Sequence, residues 1–177
     1  NNSNYDCTLE SKTACGFVVE FVDIIEKCAM DRVGTNVGGW PATTMRTYAN
    51  GDFFNKLPSA LQSVIKSTKV VSGHGSSDEN EKRADGNWES EDKIYLLSAH
   101  EVWEDGTSNL SENDTAWNNT RQLDYYKARN VTADGHLSNA IKWYKDDIYE
   151  MVDSWWLRAA GSSGADSFLF VNGDGNW

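Results

Sequence analysis

The feature that most constrains the fold of this chain is the sequence Trp155-Trp156-Leu157-Arg158 near its end. Successive residues of a strand point to opposite faces, so one indole can enter a core while the other covers a second layer. Leu157 then lies on the side of Trp155, and Arg158 lies on the side of Trp156. A Gly/Ser connection separates this stretch from a second apolar run at 167–171. The two runs predict a β-hairpin, or two successive strands of one sheet, that forms part of the hydrophobic core.

The rest of the chain predicts short elements separated by long polar loops. The run 17–25 favours a strand because it is rich in β-branched and aromatic residues, although several of its apolar residues also fit helical spacing. Ser98 and Glu101 match a capping box, which predicts that a helix begins there. The other predicted elements are strands at 68–71 and 94–97, helices at 42–49 (broken by Gly51), 58–66, 99–104, 123–127 and 137–144, and polar loops at 72–92 and 106–120.

This pattern of short elements favours an α+β fold over a doubly wound α/β fold. A length of 177 residues is sufficient for a substantial core and makes one domain over 1–177 the expectation. The first residue is Asn1 and no apolar leader follows it, so the chain is expected to be a segment excised from a longer protein.

The charge of the chain narrows the classes of partner. The net charge is −11, which argues against nucleic acid and anionic membrane as partners because both require a basic surface. No apolar run approaches the roughly 20 residues of a membrane span, so membrane insertion is not expected. Cations, neutral sugars and proteins remain as candidate ligands.

Three cysteines, Cys7, Cys15 and Cys28, lie in the first 30 residues. A short polar segment separates Cys7 from Cys15, and a disulfide between them is expected if the protein is exported to an oxidising compartment. Three reduced thiols are the alternative. The spacing of these cysteines does not match that of a zinc site.

The sequence gives little support for catalysis. The three histidines, His74, His100 and His136, are far apart and occur in no recognised acid–base or metal motif. Adjacent carboxylates are frequent, as in any acidic protein, and a solvated face explains them. We therefore expect a protein that is not an enzyme, and a hydrolase of surface polysaccharide is the least favoured alternative.

A calcium site is a weak prediction at the end of the chain. Asn172, Asp174 and Asn176 place oxygen ligands at alternate positions, as calcium loops do, but the bidentate glutamate that completes such loops is missing. A simple Gly-Asn turn is the alternative, and no other cofactor is expected.

Aromatic residues in or beside the polar loops are the candidates for ligand contact. Trp and Tyr provide a large contact area at low entropic cost, and a tryptophan without apolar neighbours in sequence is less suited to a core. The candidate ligand-binding residues are Trp88, Trp117, Tyr125 and Tyr126.

An ordered set of motifs resembles a bacterial surface-protein domain of unknown function. The set comprises Gly38-Gly39-Trp40-Pro41, Met45-Arg46, Leu57-Pro58, Tyr95-Leu96-Leu97-Ser98, Glu101-Val102, Tyr125-Tyr126, Trp155-Trp156-Leu157-Arg158 and Ser167-Phe168 with Val171, Gly173 and Gly175. It covers about 38–177, which leaves 1–37 as an N-terminal segment. Ala159 stands where the family usually has serine, and family members usually continue past Trp177 to a closing strand.

The resemblance implies an extracellular module at the cell surface, without an established activity. It also implies kinship with C-type-lectin-like folds, in which short helices surround a small, twisted antiparallel sheet with long polar loops, as in variable proteins of diversity-generating retroelements. The expected function is recognition of a protein or carbohydrate ligand, or adhesion. A subunit of a surface fibre or multimer, self-associating through open strand edges, is the alternative. The residues expected to form the scaffold are Trp40, Arg46, Trp155, Trp156, Leu157 and Arg158.

Overall fold

The computed structural model describes residues 2–5, 7–73, 87–103, 120–132, 140–148, 150–161 and 166–175. These residues form an α+β structure with short helices and small antiparallel sheets. The strands are β1 (Asn2–Tyr5), β2 (Cys15–Val18), β3 (Thr68–Gly73), β4 (Asn87–Asp92), β5 (Lys142–Lys145), β6 (Glu150–Asp153), β7 (Trp155–Ala160) and β8 (Phe168–Val171). The α-helices are α1 (Gly39–Ala42), α2 (Thr44–Tyr48), α3 (Phe54–Lys56), α4 (Ser59–Gln62), α5 (Ala99–Val102) and α6 (Asp124–Lys127).

The described strands pair in sequence order as four antiparallel two-stranded sheets. The predicted hairpin of β7 and β8 is confirmed, with Trp155 opposite Val171 and Trp156 opposite Phe170. The register shifts between Trp156 and Ala160, which marks a bulge in β7.

β7 separates two hydrophobic clusters, as the adjacent tryptophans predict. On one side, Trp155 and Leu157 pack with the first cluster, which contains Leu97, Ala99, Val102, Trp103, Leu123, Tyr126, Val131, Ala140 and Val171. On the other side, Trp156 and Ala160 pack with the second cluster, which contains Met30, Trp40, Val70 and Phe168. The strand therefore buries large side chains on both faces.

Arg158, between these clusters, forms a buried ion pair with Glu101. Its Nη1 donates to Glu101 Oε2 at 2.6 Å and its Nη2 donates to Oε1 at 3.1 Å. The guanidinium also donates to the carbonyls of Val71 and Leu96. Thr13 donates a further hydrogen bond to the same carboxylate. One ion pair therefore ties together the N-terminal segment, β3, α5 and β7.

A second buried carboxylate, Asp92, joins β4 to the first helices. Its Oδ2 accepts hydrogen bonds from Trp40 Nε1 at 2.9 Å and from Ser90 Oγ at 2.6 Å. Its Oδ1 accepts from Arg46 Nε at 2.7 Å and from Asn50 Nδ2 at 3.4 Å. Trp40 and Arg46 therefore meet at one buried acid.

The prediction of a strand at 94–97 is wrong. This stretch has no regular structure, and side chains satisfy much of its backbone. Asn50 accepts from the Ile94 N–H and donates to the Ile94 carbonyl, while Arg158 binds the Leu96 carbonyl through its side chain and the Leu97 carbonyl through its backbone N–H. An apolar run indicates that its side chains are at least partly buried, but burial alone does not make a strand.

Other boundaries also differ from the predictions. The prediction of a loop over 72–92 is wrong at both ends because β3 continues to Gly73 and β4 begins at Asn87. The helix at 137–144 is wrong over 142–144, which lie in β5. Gly51 does not end the helix at 42–49, because a π-helical turn, Ala49–Phe53, joins α2 to α3. The capping box is confirmed by reciprocal bonds between Ser98 and Glu101.

The expected disulfide joins Cys7 to Cys15, while Cys28 is free and exposed. The bridge encloses a short loop ahead of β2. Within the part of the chain that is described, no helix is long and apolar enough to cross a membrane.

Replacing Cys7 and Cys15 with serine should destabilise the domain by about 2–3 kcal/mol, because the bridge restricts the unfolded chain around a small loop. Urea unfolding of the wild type with and without reductant, beside the double variant, measures this change. Replacing Cys28 with serine is the control and should leave the midpoint unchanged. Equal midpoints for the oxidised wild type and the double variant would contradict the prediction.

Candidate functional site

Exposed large apolar side chains concentrate on two stretches that lie side by side, residues 17–25 and the β5–β6 hairpin. Most of those in the described part of the chain belong to these stretches: Phe17, Val19, Phe21, Val22, Ile25, Trp143, Ile148 and Met151. Water-exposed apolar groups that gather in one place mark interaction surfaces more often than single exposed residues do.

Ile24 joins the two stretches. It forms an isolated parallel bridge with Tyr144, and its N–H donates to the Trp143 carbonyl at 2.8 Å. Lys142 adds a second connection, since its Nζ lies 2.8 Å from Glu20 Oε1 and also donates to the carbonyl of Phe21. Ile24 therefore contacts the edge of β5 that β6 does not occupy. The strand predicted over 17–25 is wrong beyond Val18, where β2 ends, because among residues 19–25 only Ile24 forms a β-bridge.

Alternation of side chains at this bridge creates a face toward solvent. Bridge partners share a side, and Ile24 and Tyr144 are both half-buried. Alternation then directs Ile25 to the same side as Trp143, and both are exposed, Trp143 at 46%. Val152 lies directly opposite Trp143. We call Ile25, Trp143 and Val152 the outer face.

Two ion pairs hold the strands, one on each side of the hairpin. Lys145 pairs with Glu150 at 3.1 Å on the side of Trp143 and Val152. On the opposite side, Lys27 pairs with Asp153 at 2.6 Å, which lowers the pKa of Asp153 and raises the pKa of Lys27, and its ammonium lies 4.2 Å from the centre of the Tyr144 ring. The Lys145–Glu150 pair therefore borders the outer face, and charged residues are common at the rim of protein interfaces.

The other end of the segment rests on the helices through aromatic and polar contacts. The rings of Phe21 and Phe53 meet edge to face, with centroids 5.9 Å apart. Tyr48 donates to Glu26, and Lys56 Nζ lies 3.0 Å from Glu26 Oε1. These partners, Tyr48 first, lower the pKa of the Glu26 carboxyl. The segment is therefore fixed at both ends while its apolar side chains remain in water.

Of the predicted ligand-binding residues, the two tyrosines have different environments. Tyr126 is buried in the first hydrophobic cluster, where its hydroxyl donates to Glu20, so it is not accessible to a surface ligand. Tyr125 is half-buried, and the guanidinium of Arg129 lies 3.8 Å from the centre of its ring. Trp88 lies in β4 opposite Ser72, whereas Trp117 lies outside the described residues.

Burial makes the folded state sensitive to alkaline pH. Burial, with a contribution from the nearby charge of Glu20, raises the pKa of Tyr126, and burial with the charge of Glu101 raises that of Tyr95. A raised folded pKa gives stability that is complete below the unfolded pKa of about 10 and is lost as the pH rises above it. We expect tyrosinate absorbance from both side chains to appear together with loss of the far-ultraviolet dichroism above pH 10.

The control for this titration is Tyr125→Phe, in which both buried phenols remain. It should leave the alkaline unfolding midpoint unchanged, whereas Tyr126→Phe should shift it. Ionisation of all seven tyrosines near pH 10 with the dichroism intact would contradict the assignment.

The predicted calcium ligands lie in a turn after β8. The side chain of Asn172 accepts from the backbone N–H of Asp174 at 2.8 Å, and its carbonyl accepts from the N–H of Gly175, which has a positive φ of 82°. Asn176 lies outside the described residues. Within the described residues, no group of three or more His, Cys, Asp or Glu could hold a metal ion. Calcium binding stays a prediction.

The outer face was not identified from sequence as a site. Two sequence features could have indicated this face: the apolar run 17–25, which is typical of a strand, and Trp143, which follows a polar loop. The sequence does not show that these two stretches are neighbours, because Ile24 and Tyr144 are 120 positions apart and only the bridge between them reveals the contact.

Comparison with known proteins identifies the family. Residues 18–177 match the family model described as a domain of unknown function (DUF6273). The match begins at residue 18, before Gly38, and so includes most of the apolar run 17–25. Searches of curated proteins and of solved structures find no match. Because the family model covers nearly the whole chain, the protein belongs to the DUF6273 family of domains of unknown function.

Proposed function

We propose that this domain is a non-enzymatic extracellular recognition or adhesion module with a C-type-lectin-like fold, and that it binds a protein or carbohydrate ligand at a cell surface through its outer face. The observation that carries the proposal is the exposure of Ile25 and Trp143 beside the bridge between Ile24 and Tyr144, in an apolar segment that is anchored at both ends. Exposed tryptophan with a polar rim is typical of binding surfaces.

Further observations support the extracellular and non-enzymatic parts of the proposal. The Cys7–Cys15 disulfide is of the kind that persists in oxidising compartments. Within the described residues, the carboxylates of Glu101 and Asp92 are fully buried, and both serve structural ion pairs, with Arg158 and Arg46. Short helices and antiparallel hairpins agree with a C-type-lectin-like fold.

The test is to screen the purified domain against glycan and protein arrays and then compare matched variants on each ligand found. Trp143→Ser and Ile25→Ser should weaken binding by about tenfold or more, because a central aromatic or apolar anchor contributes at least about 1.4 kcal/mol. Thermal midpoints should stay close to the wild type, since both side chains are exposed.

Val33→Ser and Val64→Ser are the controls, because both valines are exposed and neither belongs to the outer face. They should leave binding unchanged. Array binding that is as strong in the Trp143 and Ile25 variants as in the wild type would contradict the proposal that this surface is the binding site.

A subunit of a surface fibre or multimer is the second candidate, favoured by the exposed apolar side chains within 17–25. Light scattering over a range of concentrations separates the two functions. A mass that grows with concentration in the wild type but not in the Val22→Ser variant would favour the subunit. A constant monomer mass would favour the recognition module.

A further inference from the structure

We propose that Lys142 and Tyr126 form a carboxylate-binding site, and that Glu20 occupies it as an internal ligand. When the segment that carries Glu20 opens locally, the site becomes available to another carboxylate. Successive residues of a strand point to opposite sides, so Lys142 lies on the side of β5 away from Trp143. The site is therefore distinct from the outer face, and the inference does not depend on the proposed function.

The first argument is that the donors converge on one oxygen. Glu20 Oε1 lies 2.8 Å from Lys142 Nζ and also accepts a hydrogen bond from the hydroxyl of Tyr126. The ammonium of Lys142 lies 5.0 Å from the centre of the Trp155 ring. A cation and a hydroxyl that meet beside an aromatic ring suit a carboxylate, because hydrogen bonds to an ionised acceptor are about twice as strong as neutral ones.

The second argument is that the body of the domain holds these donors in place. Tyr126 is 1% exposed within the first hydrophobic cluster. Trp155 packs against the same cluster, and its Nε1 donates to the carbonyl of Ala140 at 2.9 Å. The side chain of Lys142, on β5, is only 12% exposed. The site is therefore preorganised, and such a site pays little for ordering when a ligand binds.

The third argument is that the carboxylate itself belongs to a segment with few buried contacts. No strand includes residues 19–25, which form a single β-bridge at Ile24. Val19 and Val22, close to Glu20 in sequence, are 70% and 79% exposed. Segments that bury little apolar surface open locally at a lower free energy than the whole domain unfolds. Glu20 can therefore leave while its donors stay in place.

The buried pair of Glu101 with Arg158 shows how a permanent contact differs. Glu101 is fully buried and takes part in the capping box that begins α5, so it cannot leave without disrupting that helix. Glu20 belongs to no helix or strand, and its side chain is 18% exposed. Its departure would leave a buried cation and a buried hydroxyl without their acceptor, which is costly. A second carboxylate that takes its place would remove that cost.

Chemical rescue tests the site. Glu20→Ala removes the internal ligand, and sodium acetate is the probe, compared with sodium chloride at the same concentration. We expect acetate to raise the thermal midpoint of this variant above its value in chloride by about 2–4 °C, which a ligand at a few times its dissociation constant gives a domain of this size. Wild type should show no such difference, because its own carboxylate fills the site. If the variant is unfolded in chloride, its refolding by acetate is the same test.

Three further variants separate the site from general effects of the salt. Glu150→Ala removes the acid of the exposed pair with Lys145 and should respond to acetate as wild type does. Glu20→Gln fills the same space without a charge and should not be rescued. Glu20→Ala combined with Lys142→Met lacks the cation and should lose the rescue. Acetate that stabilises all variants alike, or that still rescues without Lys142, would overturn the inference.

A peptide identifies the source of the carboxylate. The probe is a short capped peptide with one central glutamate, and the same peptide with glutamine is its control. Rescue of Glu20→Ala by the glutamate peptide at lower concentration than acetate would identify an acidic protein segment as the ligand. Equal concentrations of peptide and acetate would identify a small free carboxylate. Rescue by the glutamine peptide would overturn the assignment to a carboxylate.

Hydrogen exchange of the wild type tests whether the segment opens. The Ile24 amide donates to Trp143 at 2.8 Å and the Arg158 amide donates to Leu97 at 2.9 Å, so the two hydrogen bonds are closely matched. After correction for intrinsic rates, we expect Ile24 to exchange at least about tenfold faster, by local opening. Equal protection of the two amides would show that Glu20 leaves only when the domain unfolds, and would overturn its role as an exchangeable ligand.

Discussion

Replacing Arg158 with methionine should destabilise the domain by about 3–5 kcal/mol, enough to unfold a domain of ordinary stability at moderate temperature. The substitution keeps much of the side-chain volume but leaves the carboxylate of Glu101 buried without its cation. It also removes the donors that bind the carbonyls of Val71 and Leu96. Chemical unfolding followed by tryptophan fluorescence measures the loss.

The reciprocal variants test whether the cost comes from the unpaired charge. Glu101→Leu alone should be similarly destabilising, whereas the double variant Arg158→Met with Glu101→Leu should recover part of the loss because no charge then remains buried. Arg129→Met is the control, since Arg129 is exposed on the ring of Tyr125. A double variant no more stable than either single one would show that the hydrogen bonds to the backbone matter more than the charge pair.

Replacing Trp40 with alanine should cost about 3–5 kcal/mol, because the side chain is fully buried and its removal leaves a cavity in the second hydrophobic cluster. The change also removes the indole N–H that donates to Asp92. Trp40→Phe separates the two effects: it retains most of the apolar contact, and its cost of about 1–3 kcal/mol measures the lost hydrogen bond to a buried acid.

Trp143→Ala is the matched control, since it removes the same kind of side chain from the surface. It should change the free energy of unfolding by less than about 0.5 kcal/mol. Similar losses at Trp40 and Trp143 would mean that the outer face is part of the core and would remove the main support for a binding surface there. Trp155 and Trp156, which are only half-buried, should give intermediate values.

Much of the local structure could be predicted because it depends on neighbours in sequence. The capping box at Ser98 and Glu101 determines where α5 begins. Alternation along Trp155-Trp156-Leu157 determines which residues enter each cluster. The disulfide could be proposed because Cys7 and Cys15 are close along the chain.

Where the predictions failed, a distant partner decided the outcome. The apolar run at 94–97 is not a strand because Asn50 and Arg158, far away in sequence, take its backbone hydrogen bonds. Tyr126 lies in the first hydrophobic cluster, where its hydroxyl donates a hydrogen bond to Glu20. The polar loops near it in sequence did not indicate this burial. The contact of Ile24 with β5 shows where the run 17–25 lies in the fold. Most of its apolar side chains are exposed to water there.

The sequence by itself determined the α+β class, the central hairpin and the net negative charge, because periodicity and composition are properties of the chain. The tertiary structure alone decided which acids pair with Arg46 and Arg158, which tyrosine is buried, and that Ile24 meets Tyr144 beside the exposed Ile25 and Trp143. These are contacts between residues far apart in sequence, and local periodicity carries no information about which distant side chain will complete a hydrogen bond or cover an apolar surface.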